Sequence, residues 1–302
     1  MFRITTKLAF RPAGICRYPP HVHNACRVSS TLKKQTNPKR KTASSEVTTE
    51  EETTSTQKKQ TTNLKYQTPY SKVSMPEAEK RLGLKFAHFE RSAIPVGRML
   101  EEAKPVIKGL KNDQVKQTKE IVFENIVQFI EVEGYPTESD EDFKEANVND
   151  LVLLIILPVF SIFRRETGRD LMLRREKEII AVDLETRGFQ EFVGIDIIGI
   201  PDEKFVFVVE AMKSSIGQAK RQCLLALKDI ADNNGGGIVY GFVTSGAEWQ
   251  MIRYDRIAFT QTDRFQVLFG TMGQEKERWM KEASVIVDCI HTALRSGWVV
   301  AA

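Results

Sequence analysis

The chain has 302 residues, 41% of them hydrophobic, with 44 Lys and Arg against 40 Asp and Glu for a formal charge of +4. That content supports a packed core and excludes a chain disordered throughout. The four cysteines, Cys16, Cys26, Cys223 and Cys289, are too few and too scattered for a disulfide framework, and no Cys-x-x-Cys pair marks a zinc ribbon.

The charge is unevenly spread. Residues 1–62 carry twelve Lys and Arg and four Asp and Glu, which leaves 32 and 36 for residues 63–302. The basic balance belongs to this leader, so any nucleic-acid role for the remainder must come from a local patch. "MFRITTKLAF" sets Arg3, Lys7 and Arg11 on one helical face, and the first acid is Glu46. An Arg-rich, acid-free, amphipathic start predicts import into the mitochondrial matrix. The competing signal is "NPKRK" at 37–41, a basic cluster suited to nuclear import. The Thr/Ser/Lys-rich stretch that follows reads as disordered linker, and the crowded Cys16, His21, His23 and Cys26 read as leader and not as a zinc site.

From residue 63 a folded domain is expected, helical in its first half. "MPEAEKRLG" starts a short helix with Pro76 in its first turn. "PVGRMLEEAKPVIKGL" gives another, interrupted at Pro105. From Asp113 to Glu133, Val115, Val122, Ile126 and Phe129 form one stripe of a longer amphipathic helix. Ser139 is a candidate cap for the next, which runs through "LVLLIILPVFSIF", a segment too short for a membrane span and read as buried helix.

The period then changes. "DLMLRREKEIIAVDLE" suggests one or two strands, with others at 191–200 and 204–212. A helix is predicted over Ile216 to Asn233, buried along Ile216, Ala219, Cys223, Leu227 and Ile230 and stopped by "NNGGG". Strands at "GIVYGFVTS", "EWQMIRYD" and "FQVLFG" and a last helix from Gln274 to Arg295 complete a mixed-sheet α/β domain flanked by helices.

Two acids interrupt apolar strands, Asp196 in "FVGIDIIGI" and Glu210 in "KFVFVVEAM". A buried carboxylate needs a metal, a cation or hydrogen bonds. Two registers stay open for the hairpin that carries them. With a four-residue loop Asp196 opposes Val209 and Glu210 points to the other face. With five residues, or a bulge near Gly194 or Gly199, Asp196 opposes Glu210 and both project together. Only the second makes a site, where Mg²⁺ or Mn²⁺ would join carboxylates that otherwise repel.

These residues, together with "QCLLALKD" and "NNGGGIVYGFVT", resemble the PD-(D/E)XK nuclease superfamily and, more closely, uncharacterised fungal proteins of that type, over roughly residues 165–270. The resemblance implies a restriction-endonuclease-like sheet and metal-dependent hydrolysis of nucleic-acid phosphodiesters, with DNA the expected partner and no membrane contact. It implies Asp196 and Glu210 as metal ligands, Gln218 or Gln222 as the helix glutamine and Glu124 as an upstream helical acid. The motif lysine is replaced by Met212, with Lys213 next door and Lys220 on the following helix as substitutes. A thioether cannot stabilise negative charge as an ammonium does, so the activity is expected to be slow. The alternative is an inactive nuclease-fold protein serving as a nucleic-acid-binding or interaction module. "FRRETGRDLMLRR" is the best basic patch, which makes Arg164, Arg165, Arg174 and Arg175 candidate phosphate contacts, together with Lys220.

Overall fold

A computed structural model describes residues 68–103, 105, 107–137, 139–198 and 203–296. The leader, with the predicted mitochondrial and nuclear import signals and the Cys/His cluster, lies outside the described residues. The first half is helical after a two-residue strand. β1 (Thr68–Pro69) is followed by α1 (Met75–Leu82), α2 (Phe86–Phe89), α3 (Val96–Glu102), α4 (Asn112–Glu133) and α5 (Glu145–Thr167). Then come β2 (Leu171–Ile180), β3 (Thr186–Ile197), β4 (Glu203–Ala211), α6 (Ile216–Asn233), β5 (Val239–Thr244), β6 (Glu248–Tyr254), β7 (Phe259–Gln261), β8 (Phe265–Gln266), α7 (Lys276–Glu282) and α8 (Val285–Ser296).

The strands form one mixed sheet. β3 pairs antiparallel with β2 and β4, β5 lies parallel to β4, and β6 pairs antiparallel with β5 and with β7 and β8. One face carries a large core that takes in α4, α5 and α8; the other packs on α6 and the segment leading into α1. Gly241 shows how closely α6 approaches, since a Cβ there would lie 2.5 Å from the Cys223 Sγ. Only a residue without a side chain fits that contact.

Several boundaries differ from those the sequence suggests. α5 starts at Glu145 and not after Ser139, because the Asp140 carboxylate accepts from the amides of Asp142 and Phe143 and folds a turn there. The predicted last helix breaks into α7 and α8, where the amides of Ala283 and Ser284 both bond to the Trp279 carbonyl. "FQVLFG" keeps only two residues as strand, and β7 is an additional one.

α5 is long and apolar enough to cross a membrane by length and composition, yet nine of its residues are buried in the core. Pro158 sits inside it and has no amide for the Leu154 carbonyl; the Asn125 side chain donates to that carbonyl at 3.3 Å instead.

Candidate functional site

The β3–β4 register decides whether Asp196 and Glu210 meet. Ile197 pairs with Glu203 and Asp196 with Lys204; a bulge between Gly194 and Ile195 leaves Val206 as the extra residue, and the pairing ends at Phe192 with Val209. β4 is fixed at its start by Asn234, whose carboxamide accepts from the Phe205 amide at 2.9 Å and donates to its carbonyl at 2.8 Å. The register is therefore shifted from both expected ones, and Lys204 stands opposite Asp196. Glu210 is six residues further along β4, about 20 Å at the rise of a strand.

The two acids also face opposite ways. A Cβ on Gly194 would touch Phe160 of α5 and Phe207, so Asp196, two residues on, shares the α5 face. Glu210 is in register with Val243, which with Val208 belongs to the α6 face. The shared metal site of Asp196 and Glu210 is thus corrected: the strands do not bring them together. Asp196 is instead held by Arg169, which also donates to the Leu294 carbonyl of α8 at 3.0 Å.

Glu210 sits where the sheet forks. Above Phe192 and Val209, β4 continues beside β5 while β3 stays with β2. β1 pairs with Thr186 and Arg187 and takes the edge that β4 has left. One rung beyond the last pair, Glu191 lies across the gap from Glu210. The Asn149 side chain of α5 donates to Glu191 at 2.9 Å.

Glu210 is 2% exposed, and no ion pair to it occurs among the described residues. Its pKa is raised to about 8, first by burial and then by the charge of Glu191, with a hydrogen bond from the Gln190 carboxamide opposing the rise and the charge of Glu145 adding to it. Glu191 is shifted upward too, first by burial, with Asn149 opposing and the charges of Glu145 and Glu176 reinforcing. Three oxygen acceptors around the fork, Oε1 of Glu210, Oε1 of Gln190 and Oδ1 of Asn149, are buried without a hydrogen-bond partner.

Of the four described non-glycine residues with positive φ, Leu184 and Arg256 lie elsewhere, and two are on the segments that flank the fork. Glu176, beside Glu191 on β2, has φ +50°, and Ser215, which opens α6 just past the end of β4, has φ +67°. Non-glycine residues seldom hold such angles without compensation, and they concentrate at working sites.

The other predicted residues are dispersed. Met212 is half-buried against the α6-side cluster, and Lys213 is turned onto the Asp140 backbone carbonyl. Gln218 is exposed and Gln222 half-buried on the first turns of α6. Glu124 is exposed and pairs with Lys276 at 3.4 Å, so the helical acid acting on the fork is Glu145 and not Glu124. Lys220 cannot serve as a phosphate contact: it is 1% exposed, and its ammonium is bound by Glu90 at 2.7 Å and by Gln261 at 3.1 Å. Arg164 and Arg174 are exposed, Arg175 lies over the Phe192 ring and reaches Asp150, and Arg165 is exposed.

Among the described residues no three His, Cys, Asp or Glu side chains form a metal-binding group. The fork does offer two carboxylates and two unpartnered amide oxygens, all hard donors of the kind that suits Mg²⁺ or Mn²⁺. No family model and no curated protein matches the chain.

Proposed function

We propose that the protein is a PD-(D/E)XK-type, metal-dependent nuclease that works at the fork, slowly, on nucleic-acid phosphodiesters. The observation that carries this reading is Glu210, a carboxylate buried in a strand with no cation beside it and one oxygen unpartnered. Such a group is costly unless something joins it during function. Glu210 and Glu191 would hold the divalent ion, with Gln190 and Asn149 supplying amide oxygens. When bound, the ion supplies charge that lowers the pKa of a water and offsets charge on the phosphodiester.

The remaining work falls to the chain. The apolar walls around Glu210 exclude bulk water, Asn149 fixes the orientation of Glu191, and Gln218, exposed on the first turn of α6, would meet the substrate backbone. Purified protein with Mn²⁺ or Mg²⁺ should nick DNA, and Glu210→Gln and Glu191→Gln should each reduce the rate at least a hundredfold while Asp196→Asn does not. Equal rates in wild type and Glu210→Gln would refute the assignment.

A second reading, a binding module without cleavage, is favoured by one arrangement: Met212 fills the motif lysine's position and the neighbouring Lys213 is engaged elsewhere. It predicts no metal-dependent nicking by the wild type at any enzyme concentration.

A further inference from the structure

The end of α5 remote from the fork carries charge that helix chemistry does not explain. Two adjoining hollows of about 500 and 460 Å³ open there, and Arg169 lines both. Arg164, Arg165 and Asp170 border the first; Lys108, Lys111 and Glu166 border the second. Arg164 and Arg165 suit the last turn of a helix, whose carbonyl end attracts cations.

Lys108 and Lys111 are different. They come from the chain just before α4, and the N-terminal end of a long helix repels cations. Lys111 occupies the cap position itself, its amide donating to Gln114 Oε1 at 2.8 Å, so this end favours an anion twice over. Among the described residues Lys108, Lys111 and Arg165 take part in no ion pair, and all three are exposed. Asp113 in the first turn and the capping box with Gln114 complete the helix end itself, so the exposed, unpaired ammonium groups of Lys108 and Lys111 are left facing the hollow.

We propose that this end of α5 is a second nucleic-acid contact, a phosphate-docking hollow made by Lys108, Lys111 and Arg165 around Arg169, which Asp196 and the Leu294 carbonyl hold in place. The identity of the polyanion rests on the nuclease-like reading of the fork. Asn149 at the fork and Arg165 at the hollow are sixteen residues apart on one helix, about 24 Å at the helical rise. A duplex advances roughly 3.4 Å per base pair, so about seven base pairs along the outward side of α5 would link the hollow to the fork.

The test is binding of the full chain to a fluorescein-labelled 20-base-pair DNA duplex in EDTA, followed by anisotropy over a range of KCl concentrations. Lys108→Glu/Lys111→Glu should weaken binding at least tenfold and reduce the slope of log K against log salt by about two, as expected for two lost phosphate contacts. Lys108→Gln/Lys111→Gln should move both in the same direction by less. A control with the same charge change, Lys72→Glu/Lys80→Glu, should weaken binding less than threefold, with circular dichroism confirming that each variant folds. Equal losses in the two reversal pairs, or loss of binding to phosphatidylglycerol vesicles with duplex binding intact, overturns the proposal. Binding in EDTA depends on neither metal nor cleavage, so its failure is distinguishable from failure of the fork to cut.

Discussion

Arg169 and Asp196 form an ion pair that ties the loop after α5 to β3, and Arg169 extends the tie to α8 through the Leu294 carbonyl. Both side chains are mostly buried, with 16% and 11% of their surface exposed. Removing one partner strands the other charge away from water. Asp196→Ala should therefore cost about 2–3 kcal/mol of stability, measured by urea denaturation. Metal-dependent activity at the fork should persist in the folded fraction. A variant that loses activity without losing stability would return Asp196 to the site.

Asp229 should be the more sensitive acid. It is fully buried on α6 and accepts from the Tyr70 hydroxyl, the Thr186 hydroxyl and Arg81, each at 2.8 Å. These bonds fasten the segment before α1 and the start of β3 to the back of the sheet. Tyr70 also lies flat over Gly188, where a Cβ would fall 2.1 Å from its ring. Asp229→Ala should cost about 3–5 kcal/mol because it leaves Arg81 short of a buried partner, whereas Tyr70→Phe, which removes one hydrogen bond to a charged group, should cost about 1.5–3 kcal/mol. The reverse order in denaturant midpoints would show that the network is not centred on Asp229.

Much of this architecture is legible in the residues themselves. The stripe Ala219, Cys223, Leu227 and Ile230 fixes α6 to the residue, since a 3.6-residue period and a Gly-rich stop are both local signals. Glu210 is legible as an anomaly, an acid in an apolar strand. Its partner is not. Opposing Glu210 with Asp196 or with Glu191 depends on the β3–β4 register, which is tied to Asn234, 29 residues from Phe205 in the chain, and to a bulge that adds Val206. A shift of a few rungs reassigns the facing acid, and no pattern within β3 or β4 records it. Glu145 and Asn149 are hidden for a like reason: they reach the fork only because α5 lies across the sheet.

Metal-free protein should lose stability as pH rises through neutrality. The Glu210 carboxyl titrates near 8 in the folded state, above its ordinary value of 4.5, so the native state holds a proton that the unfolded chain has released. The contribution is complete below about pH 4.5 and declines by up to about 1.4 kcal/mol per pH unit until about pH 8. Thermal unfolding in EDTA should show this fall in wild type and much less of it in Glu210→Gln. Adding Mn²⁺ at pH 8 should raise the wild-type midpoint and leave that of Glu210→Gln in place. Equal Mn²⁺ stabilisation of both proteins would mean that the ion binds elsewhere.

The final prediction concerns Met212. It shares the α6-facing side of β4 with Glu210, two residues on, and its amide donates to the Thr244 carbonyl at 3.0 Å, so the backbone there is fixed. Lysine at this position can lay its stem along the same apolar surface while its ammonium reaches toward the fork. A positive charge beside Glu210 opposes the effects of burial and of Glu191, which lowers the Glu210 pKa and supplies the electrostatic stabilisation that a thioether lacks. Met212→Lys should then raise metal-dependent nicking at least tenfold and move the alkaline loss of stability to lower pH. In the double variant with Glu210→Gln the gain should vanish, because the ammonium acts through that carboxylate and the ion it holds. If folded Met212→Lys protein nicks no faster than wild type, the missing lysine is not what limits the site, and the reading of the fold as a binding module gains the stronger claim.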